Sequence, residues 1–170
     1  PWLGGFGGRL RCRERAAARG PAGAPGVEVI VFGLGRYGSR LLVQLRDAGV
    51  HAIGIDFDPE AVRELRSRGL PVHFGDGEDA DFLESLPLGQ ARWVVSTLPQ
   101  WESNRAFLHA LRAARYEGLV AAAARDAEHA RQLAGLGVGR VFNPFEDAAD
   151  HAAQHLAGDI RGARTDRRSD

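Results

Sequence analysis

The sequence predicts an α/β protein with a Rossmann-like fold, a doubly wound parallel sheet of about six strands with helices on both faces. Three observations lead to this prediction. Short apolar, β-branched stretches alternate with amphipathic stretches along most of the chain. Glycines and an Asp-Pro pair separate these stretches at the places where helices begin and end. The first apolar stretch is continuous, which is typical of a central strand buried on both faces of a parallel sheet.

The first half of the chain gives three strand–helix units. Strands are predicted at 27–32, 51–55 and 71–74 because these stretches are short, apolar and rich in β-branched residues. The first helix follows a glycine loop and carries leucines at helical spacing up to Gly49. Asp58-Pro59 begins the second helix, since Asp is a good N-cap and Pro fits the first turn. Gly69 ends it near residue 68, and a short third helix is predicted at 79–86.

The second half repeats the alternation. Strands are predicted at 93–96, 119–123 and 141–142, and helices at about 101–116, 126–135 and 145–158. Each of these helices repeats apolar residues three and four positions apart. Because parallel strands need crossover connections, the whole pattern predicts βαβ units.

Composition excludes several classes of protein. The chain has 170 residues, which suits one domain, and its 22 Lys+Arg balance 22 Asp+Glu. Zero net charge argues against a cationic nucleic-acid binder, so no nucleic acid partner is expected. Every basic residue is arginine, which excludes lysine-based catalysis, and one cysteine excludes an internal disulfide. No apolar run reaches the roughly 18 residues that span a bilayer.

Three segments are expected. Residues 1–26 are rich in glycine and carry five arginines against one glutamate, which predicts a flexible basic linker. Residues 27–158 form the domain, and 159–170 are expected to be a disordered tail. The absence of methionine and the start at Pro1 indicate a piece of a longer protein. The basic segment could contact an acidic surface or flank a membrane span on its cytoplasmic side.

A glycine loop follows the first strand. Gly33-Leu34-Gly35-Arg36-Tyr37-Gly38 is a G-x-G-x-x-G sequence between a predicted strand and a predicted helix. In this context the glycines allow a tight turn, close phosphate approach and close helix packing. The alternative, a purely structural turn, is less favoured because an acid also lies about 20 residues on, at Asp56. Its carboxylate can accept from ribose hydroxyls and would repel a 2′-phosphate, so NAD(H) or an adenine nucleotide is favoured over NADP.

With these motifs the sequence resembles the KTN (TrkA-N type) nucleotide-binding domain of regulator-of-potassium-conductance modules. The resemblance covers about 27–158 and rests on these stretches: V-I-V-F-G-L-G-R-Y-G-S, G-I-D-F-D-P-E, V-H-F-G-D-G, V-V-S-T, S-N-R-A, A-A-R-D-A-E-H and V-F-N-P-F. Domains of this family regulate potassium channels, potassium-uptake systems and cation:proton antiporters from the cytoplasmic side. The resemblance therefore implies a cytoplasmic regulatory domain, of an antiporter or other potassium transport system.

The resemblance also implies roles for individual residues. Besides the glycine loop and Asp56, it implies a ligand pocket lined by residues that follow the predicted strands: Phe57, Asp58, Gly75, Asp76, Gly77, Ser96, Thr97, Leu98 and Arg125. Arg36 matches an arginine that can face terminal phosphates. Pro99-Gln100-Trp101 departs from the family's usual small acidic loop at that point.

Several of these residues also have a structural interpretation. Asp76 and Thr97 follow strands at the edge where ligands of open α/β sheets bind, but both are also good helix caps. Arg125 alone would more often be a solvated or ion-paired charge. His151 and His155 lie four apart in the last helix, yet two solvated histidines are favoured over a zinc site because a third ligand is not evident.

The last predicted helix has an apolar face of mostly small residues. This face could pack on the domain's own sheet or form the contact of a homodimer through 145–158. Taken together, the sequence predicts a regulatory, non-catalytic domain that binds NAD(H), AMP, ADP or ATP and gates a membrane cation-transport domain in the same or an associated chain. The alternative is the cofactor-binding half of an NAD-dependent oxidoreductase, which would need a catalytic domain elsewhere.

Overall fold

The computed structural model describes residues 26–166, with side-chain surroundings for 26–161. The basic linker predicted at 1–26 falls outside the described residues except for Gly26, and 167–170 fall outside as well. Over the described range, strands and helices alternate as predicted, beginning with β1 (Val29–Phe32), α1 (Arg36–Asp47), β2 (Ala52–Asp56), α2 (Pro59–Ser67), β3 (Val72–Phe74) and α3 (Ala80–Ser85). The second half comprises β4 (Trp93–Ser96), α4 (Trp101–Ala113), β5 (Leu119–Ala123), α5 (Ala127–Gly135), β6 (Arg140–Phe142) and α6 (Pro144–Asp166).

The six strands form one sheet in the order β3-β2-β1-β4-β5-β6, and all five neighbouring pairs are parallel. The chain therefore runs outward from β1 to β3, returns to the middle, and runs outward again from β4 to β6. This topology confirms the predicted fold class. It also creates a switch point between β1 and β4, whose carboxyl ends lie side by side.

Helices cover both faces of the sheet, and alternate residues of β1 show this directly. Val29 and Val31 belong to a core with Leu42 of α1 and Leu65 of α2. The next residues along β1 point the other way, and Phe32 packs in a second core with helices α3, α4 and α5. The rings of Phe32 and Phe107 of α4 pack in this second core with centroids 4.7 Å apart and a tilt of 48° between their planes. Since β1 is buried on both faces, its continuous apolar sequence is explained.

The last helix differs from the prediction. It was expected to end near 158, with a disordered tail over 159–170, but α6 continues to Asp166. The predicted end coincides with Gly158. A glycine inside a helix costs only about 1 kcal/mol relative to alanine, so Gly158 alone is not a stop signal.

The apolar face of α6 does not pack on the sheet, so that alternative is wrong for the described structure. Phe145, Leu156 and Ile160 are exposed by 69%, 64% and 55%. Separately, no helix within residues 26–166 combines the length and the apolar character needed to cross a bilayer.

Candidate functional site

The carboxyl ends of β1 to β4 bring most of the predicted site residues to one edge of the sheet. Gly33 follows β1, Phe57 follows β2, Gly75 follows β3 and Thr97 follows β4. In open α/β sheets the crevice at the switch point, here between β1 and β4, is the usual place for a ligand. The candidate site is therefore centred on the glycine loop and the end of β4.

Each of the three loop positions is a glycine for a different structural reason. Gly33 adopts φ +85°, a conformation that other residues reach only with strain. A Cβ on Gly38 would lie 1.9 Å from the carbonyl oxygen of Gly33, so only glycine lets α1 approach the loop this closely. A Cβ on Gly35 would meet nothing within 4 Å. The space above Gly35 is therefore open, as close approach of a phosphate group requires.

The N-terminus of α1 points into the same space. Gly35 is the N-cap of α1 and, having no side chain, provides no cap to the first-turn N–H groups. Such N–H groups and the positive end of the helix dipole favour an anion. Arg36 is the first helical residue and its side chain is exposed, so it can add positive charge at this end.

Asp56 holds the loop in place. One oxygen of its carboxylate accepts from the backbone N–H of Leu34. The other accepts from the N–H of Asp58 at 2.8 Å. Asp56 is only half-buried, and each carboxylate oxygen can accept more than one hydrogen bond. The carboxylate is therefore fixed beside the glycine loop and retains acceptor capacity for ligand hydroxyls.

The two residues after Asp56 face solvent. Phe57 is 69% exposed. The Asp58 carboxylate accepts from the backbone N–H of Glu60 at 2.9 Å and caps α2, as the Asp-Pro sequence predicted. Asp58 thus has a structural role that is separate from any contact with a ligand.

The stretch after β3 is shaped by packing. Gly75 donates its N–H to the carbonyl of Asp56 at 3.0 Å, and a Cβ on Gly75 would lie 1.9 Å from the ring of Phe82. A Cβ on Gly77 would lie 3.0 Å from Phe32 in the core. Between the two glycines, Asp76 is exposed and its Oδ1 accepts from the N–H of Glu78 at 2.9 Å. This hydrogen bond forms a turn and leaves the carboxylate at the sheet edge.

Thr97 connects the end of β4 to the glycine loop. Its hydroxyl donates to the carbonyl of Gly33 at 2.6 Å, and its N–H donates to the carbonyl of Phe32 at 2.8 Å. The side chain of Leu98 lies against the same glycine, 3.2 Å from the position of a Gly33 Cβ. Thr97 therefore anchors the loop instead of capping a helix.

Ser96 was predicted to line the crevice, but the structure buries its side chain completely. Its hydroxyl donates to Oδ1 of Asn104 at 2.7 Å. The amide nitrogen of Asn104 donates to the carbonyls of Leu98 at 2.7 Å and Gln100 at 3.0 Å. Asn104, which was not among the predicted site residues, thus fixes the whole connection between β4 and α4. Its only sequence signal was the S-N-R-A stretch of the resemblance.

Arg125 lies at the end of β5, one strand further from the loop than β4. Its side chain is exposed, and its Nε lies 3.6 Å from the carboxylate of Asp126. Asp126 caps α5 by accepting from the N–H of His129 at 2.8 Å, and this hydrogen bond is the main cause that lowers the pKa of Asp126. The described contacts of Arg125 are thus those of a surface ion pair beside the crevice.

His129 is the buried titratable residue of this corner. It is 4% exposed, and its Nδ1 accepts from the backbone N–H of Arg125 at 3.3 Å. Burial lowers its pKa, and the charge of Arg125 lowers it further. Both effects favour the neutral form of the imidazole.

Tyr37 links the loop to the last helix. It lies in the first turn of α1 and is half-buried. Burial raises its pKa, and the carboxylate of Asp147 in α6 raises it further. The first turns of α1 and α6 are thus close enough for their side chains to interact electrostatically.

Comparison with known proteins gives the same family that the motifs suggested. The family model described as the TrkA-N domain matches residues 29–144. A curated relative, the glutathione-regulated potassium-efflux system protein KefC of Cronobacter sakazakii, is 29% identical over 110 residues. That match covers 65% of this chain but only 18% of KefC, so the chain spans less than a fifth of this relative.

Two solved structures share the fold. The NAD(P)-binding domain of an exopolyphosphatase-related protein from Archaeoglobus fulgidus superposes with a TM-score of 0.67 and 24% identity, over 80% of this chain and 98% of that one. The Kef CTD of Shewanella denitrificans in its AMP-bound form superposes with a TM-score of 0.63 and 24% identity. That match covers 76% of this chain and 79% of the Kef CTD chain. The match of the family model to most of the sequence decides the assignment. This chain belongs to the TrkA-N domain family.

Proposed function

We propose that this chain is a regulatory domain that binds NAD(H) or an adenine nucleotide (AMP, ADP or ATP) at the glycine loop. The open space above Gly35, beside the fixed carboxylate of Asp56, is the observation that carries the proposal. A phosphate group would lie against the N-terminus of α1, and the adenosine ribose would donate its hydroxyls to Asp56. The AMP-bound form of the Kef CTD neighbour supports this choice of ligands.

The domain would act by regulation and not by catalysis. Its relatives are potassium-efflux proteins, and this chain matches only a small part of their length. We therefore infer that it belongs to a potassium or cation transport system, on the cytoplasmic face of the membrane. Nucleotide binding would shift the population of two arrangements of the domain, and the attached or associated membrane domain would respond. Residues 1–26 would form the link.

A homodimer through α6 completes the proposal. Phe145, Leu156 and Ile160 expose a continuous apolar face along the helix, and burying such a face is favourable. The alanines between them let a second helix approach closely. Because Tyr37 of α1 is close to Asp147 of α6, a change at the phosphate loop can reach this face.

Nucleotide titrations of the purified chain test the proposal. NAD+, NADH, AMP, ADP and ATP should raise the melting temperature, since a ligand that binds only the folded state stabilises it by mass action. NADP+ should raise it less than NAD+, because Asp56 would face its 2′-phosphate. Light scattering at several protein concentrations tests the dimer.

Gly35→Ala is the sharpest variant for this site. The structure has room for the added methyl group and the residue has an ordinary φ of −62°, so the variant should fold normally. Its methyl group would occupy the space of the phosphate, and affinity should fall at least tenfold. Gly89→Ala makes the same change at another open glycine away from the loop and should bind like the parent.

The outcomes separate the parts of the proposal. A flat melting temperature with all six nucleotides would refute nucleotide binding at this loop. Equal shifts with NAD+ and NADP+ would refute the ribose role of Asp56. Unchanged affinity in Gly35→Ala would show that phosphate does not approach the loop at this glycine.

A further inference from the structure

Two histidines of α6 face one another on the surface of the domain. His151 and His155 lie four residues apart, so both project from the same side of the helix. Their Nε2 atoms lie at hydrogen-bond distance, 3.1 Å, and the ring centroids are 4.4 Å apart. A metal ion bound by both nitrogens would replace the proton that they share. Both side chains are exposed. The helix alone therefore brings two imidazole nitrogens together where solvent and ions can reach them.

This separation suits a shared metal ion. With metal–nitrogen bonds of about 2.05 Å, two nitrogens 3.1 Å apart subtend about 98° at the metal. That angle lies between the roughly 90° of octahedral and the roughly 109° of tetrahedral coordination. Neutral imidazole is a preferred ligand of Zn²⁺ and its neighbours Ni²⁺ and Cu²⁺.

The acids around the pair complete the argument. Asp147 lies four residues before His151, and Asp159 lies four residues after His155, so two aspartates and two histidines follow one side of α6. The negative charges favour a dication over a neutral or anionic ligand on this side of the helix. Among the described residues no third side chain converges with the two histidines, so the acids contribute charge near the pair and not further ligands.

We propose that His151 and His155 form a two-histidine chelate for a divalent transition metal ion, for which Zn²⁺ is the probe. Water, or side chains of a second copy approaching α6, would fill the remaining coordination positions. The sequence alone favoured two solvated histidines; the facing Nε2 atoms are what the sequence could not show. This site is independent of the nucleotide proposal, because its residues lie on a different element from the glycine loop.

Isothermal titration of the metal-free chain with ZnCl₂ tests the site. The experiment uses a Cys12→Ser background, which removes the chain's one thiol. His151→Ala and His155→Ala should each lower the affinity at least tenfold, because either change destroys the chelate. His109→Ala removes an exposed histidine of α4 and should leave the affinity unchanged.

A matched control tests the spacing. His155→Ala combined with Ala153→His keeps the number of histidines on α6 but places them two residues apart, on opposite sides of the helix. This double variant should bind Zn²⁺ as weakly as His155→Ala.

Stoichiometry then describes the complex. One ion per chain supports the chelate completed by water, and one ion per two chains supports the chelate completed by a second copy. No detectable Zn²⁺ binding, or binding that survives both single variants, would overturn the proposal. Circular dichroism of each variant checks that α6 keeps its helicity.

Discussion

Replacing Asn104 by alanine should destabilise the domain strongly, although the residue makes no contact with the open part of the site. The side chain is fully buried and makes three hydrogen bonds, to Ser96, Leu98 and Gln100. Each such bond contributes about 1 kcal/mol net, and a buried partner left without one costs about 1–3 kcal/mol. The expected loss is therefore about 3–4 kcal/mol of the free energy of unfolding, out of roughly 5–15 kcal/mol for a domain.

A double-mutant cycle measures the central contact. Urea unfolding of Asn104→Ala, Ser96→Ala and the double variant gives the free energies of unfolding. The Ser96–Asn104 pair should show a coupling energy of about 1 kcal/mol, because both partners are buried and joined at 2.7 Å. His109→Ala on the exposed side of α4 is the control and should change stability by less than about 0.5 kcal/mol.

Two outcomes would contradict the role of Asn104 in the connection between β4 and α4. If Asn104→Ala costs less than about 1 kcal/mol, or if the two substitutions are simply additive, the connection between β4 and α4 does not depend on this network. A loss of stability with an unchanged nucleotide affinity would separate the network from the site. We expect both to fall, because Thr97 anchors Gly33 from the same connection.

Three further predictions concern stability. Gly38→Ala should prevent folding or lower the free energy of unfolding by roughly several kcal/mol. The reason is a severe clash, because its Cβ would lie 1.9 Å from the backbone oxygen of Gly33. Asp58→Ala should cost about 1 kcal/mol, the usual contribution of an N-cap, and urea unfolding measures both variants. The free energy of unfolding should fall as the pH drops below about 6.5, because the lowered pKa of His129 makes the unfolded chain bind protons more readily than the folded one.

Each of these predictions has its own control. Gly35→Ala, in the same loop but with open space, should fold normally beside Gly38→Ala; equal damage would contradict the packing argument. Asp58→Ser is the control for Asp58→Ala. Because serine is also a good N-cap, this variant should keep most of the stability that the alanine variant loses. His129→Asn keeps an acceptor for the N–H of Arg125 but does not titrate, so its stability should depend less on pH than that of the parent.

The parts that the sequence predicts well are those set by neighbouring residues. The six strands, the glycine loop and the Asp58 cap follow from local patterns, since apolar period, glycine position and capping act within a few residues. Asp56 could be placed beside the loop because parallel strands β1 and β2 must end at the same edge of the sheet. The TrkA-N family follows from the same motifs.

The rest depends on packing between distant elements. Ser96 is the last residue of β4 and directly precedes Thr97, which contacts the glycine loop, but its hydroxyl points into the core and donates to Asn104. The exposure of α6 could not be predicted, because an apolar face of small residues suits packing on a sheet as well as packing on another helix. The structure extends α6 through Gly158 to Asp166, since one glycine inside a helix costs only about 1 kcal/mol and does not end it.

The hydrogen bond from Leu34 to Asp56 has a kinetic consequence. It fixes the glycine loop on one side, and the hydroxyl of Thr97 fixes the same loop on the other. A molecule that binds there does not have to order the backbone first, so little free energy is lost to loop ordering. Association would then proceed without a slow conformational step, and the time for exchange would depend on dissociation. On the proposed function, the domain would then follow changes in nucleotide concentration as fast as the nucleotide dissociates.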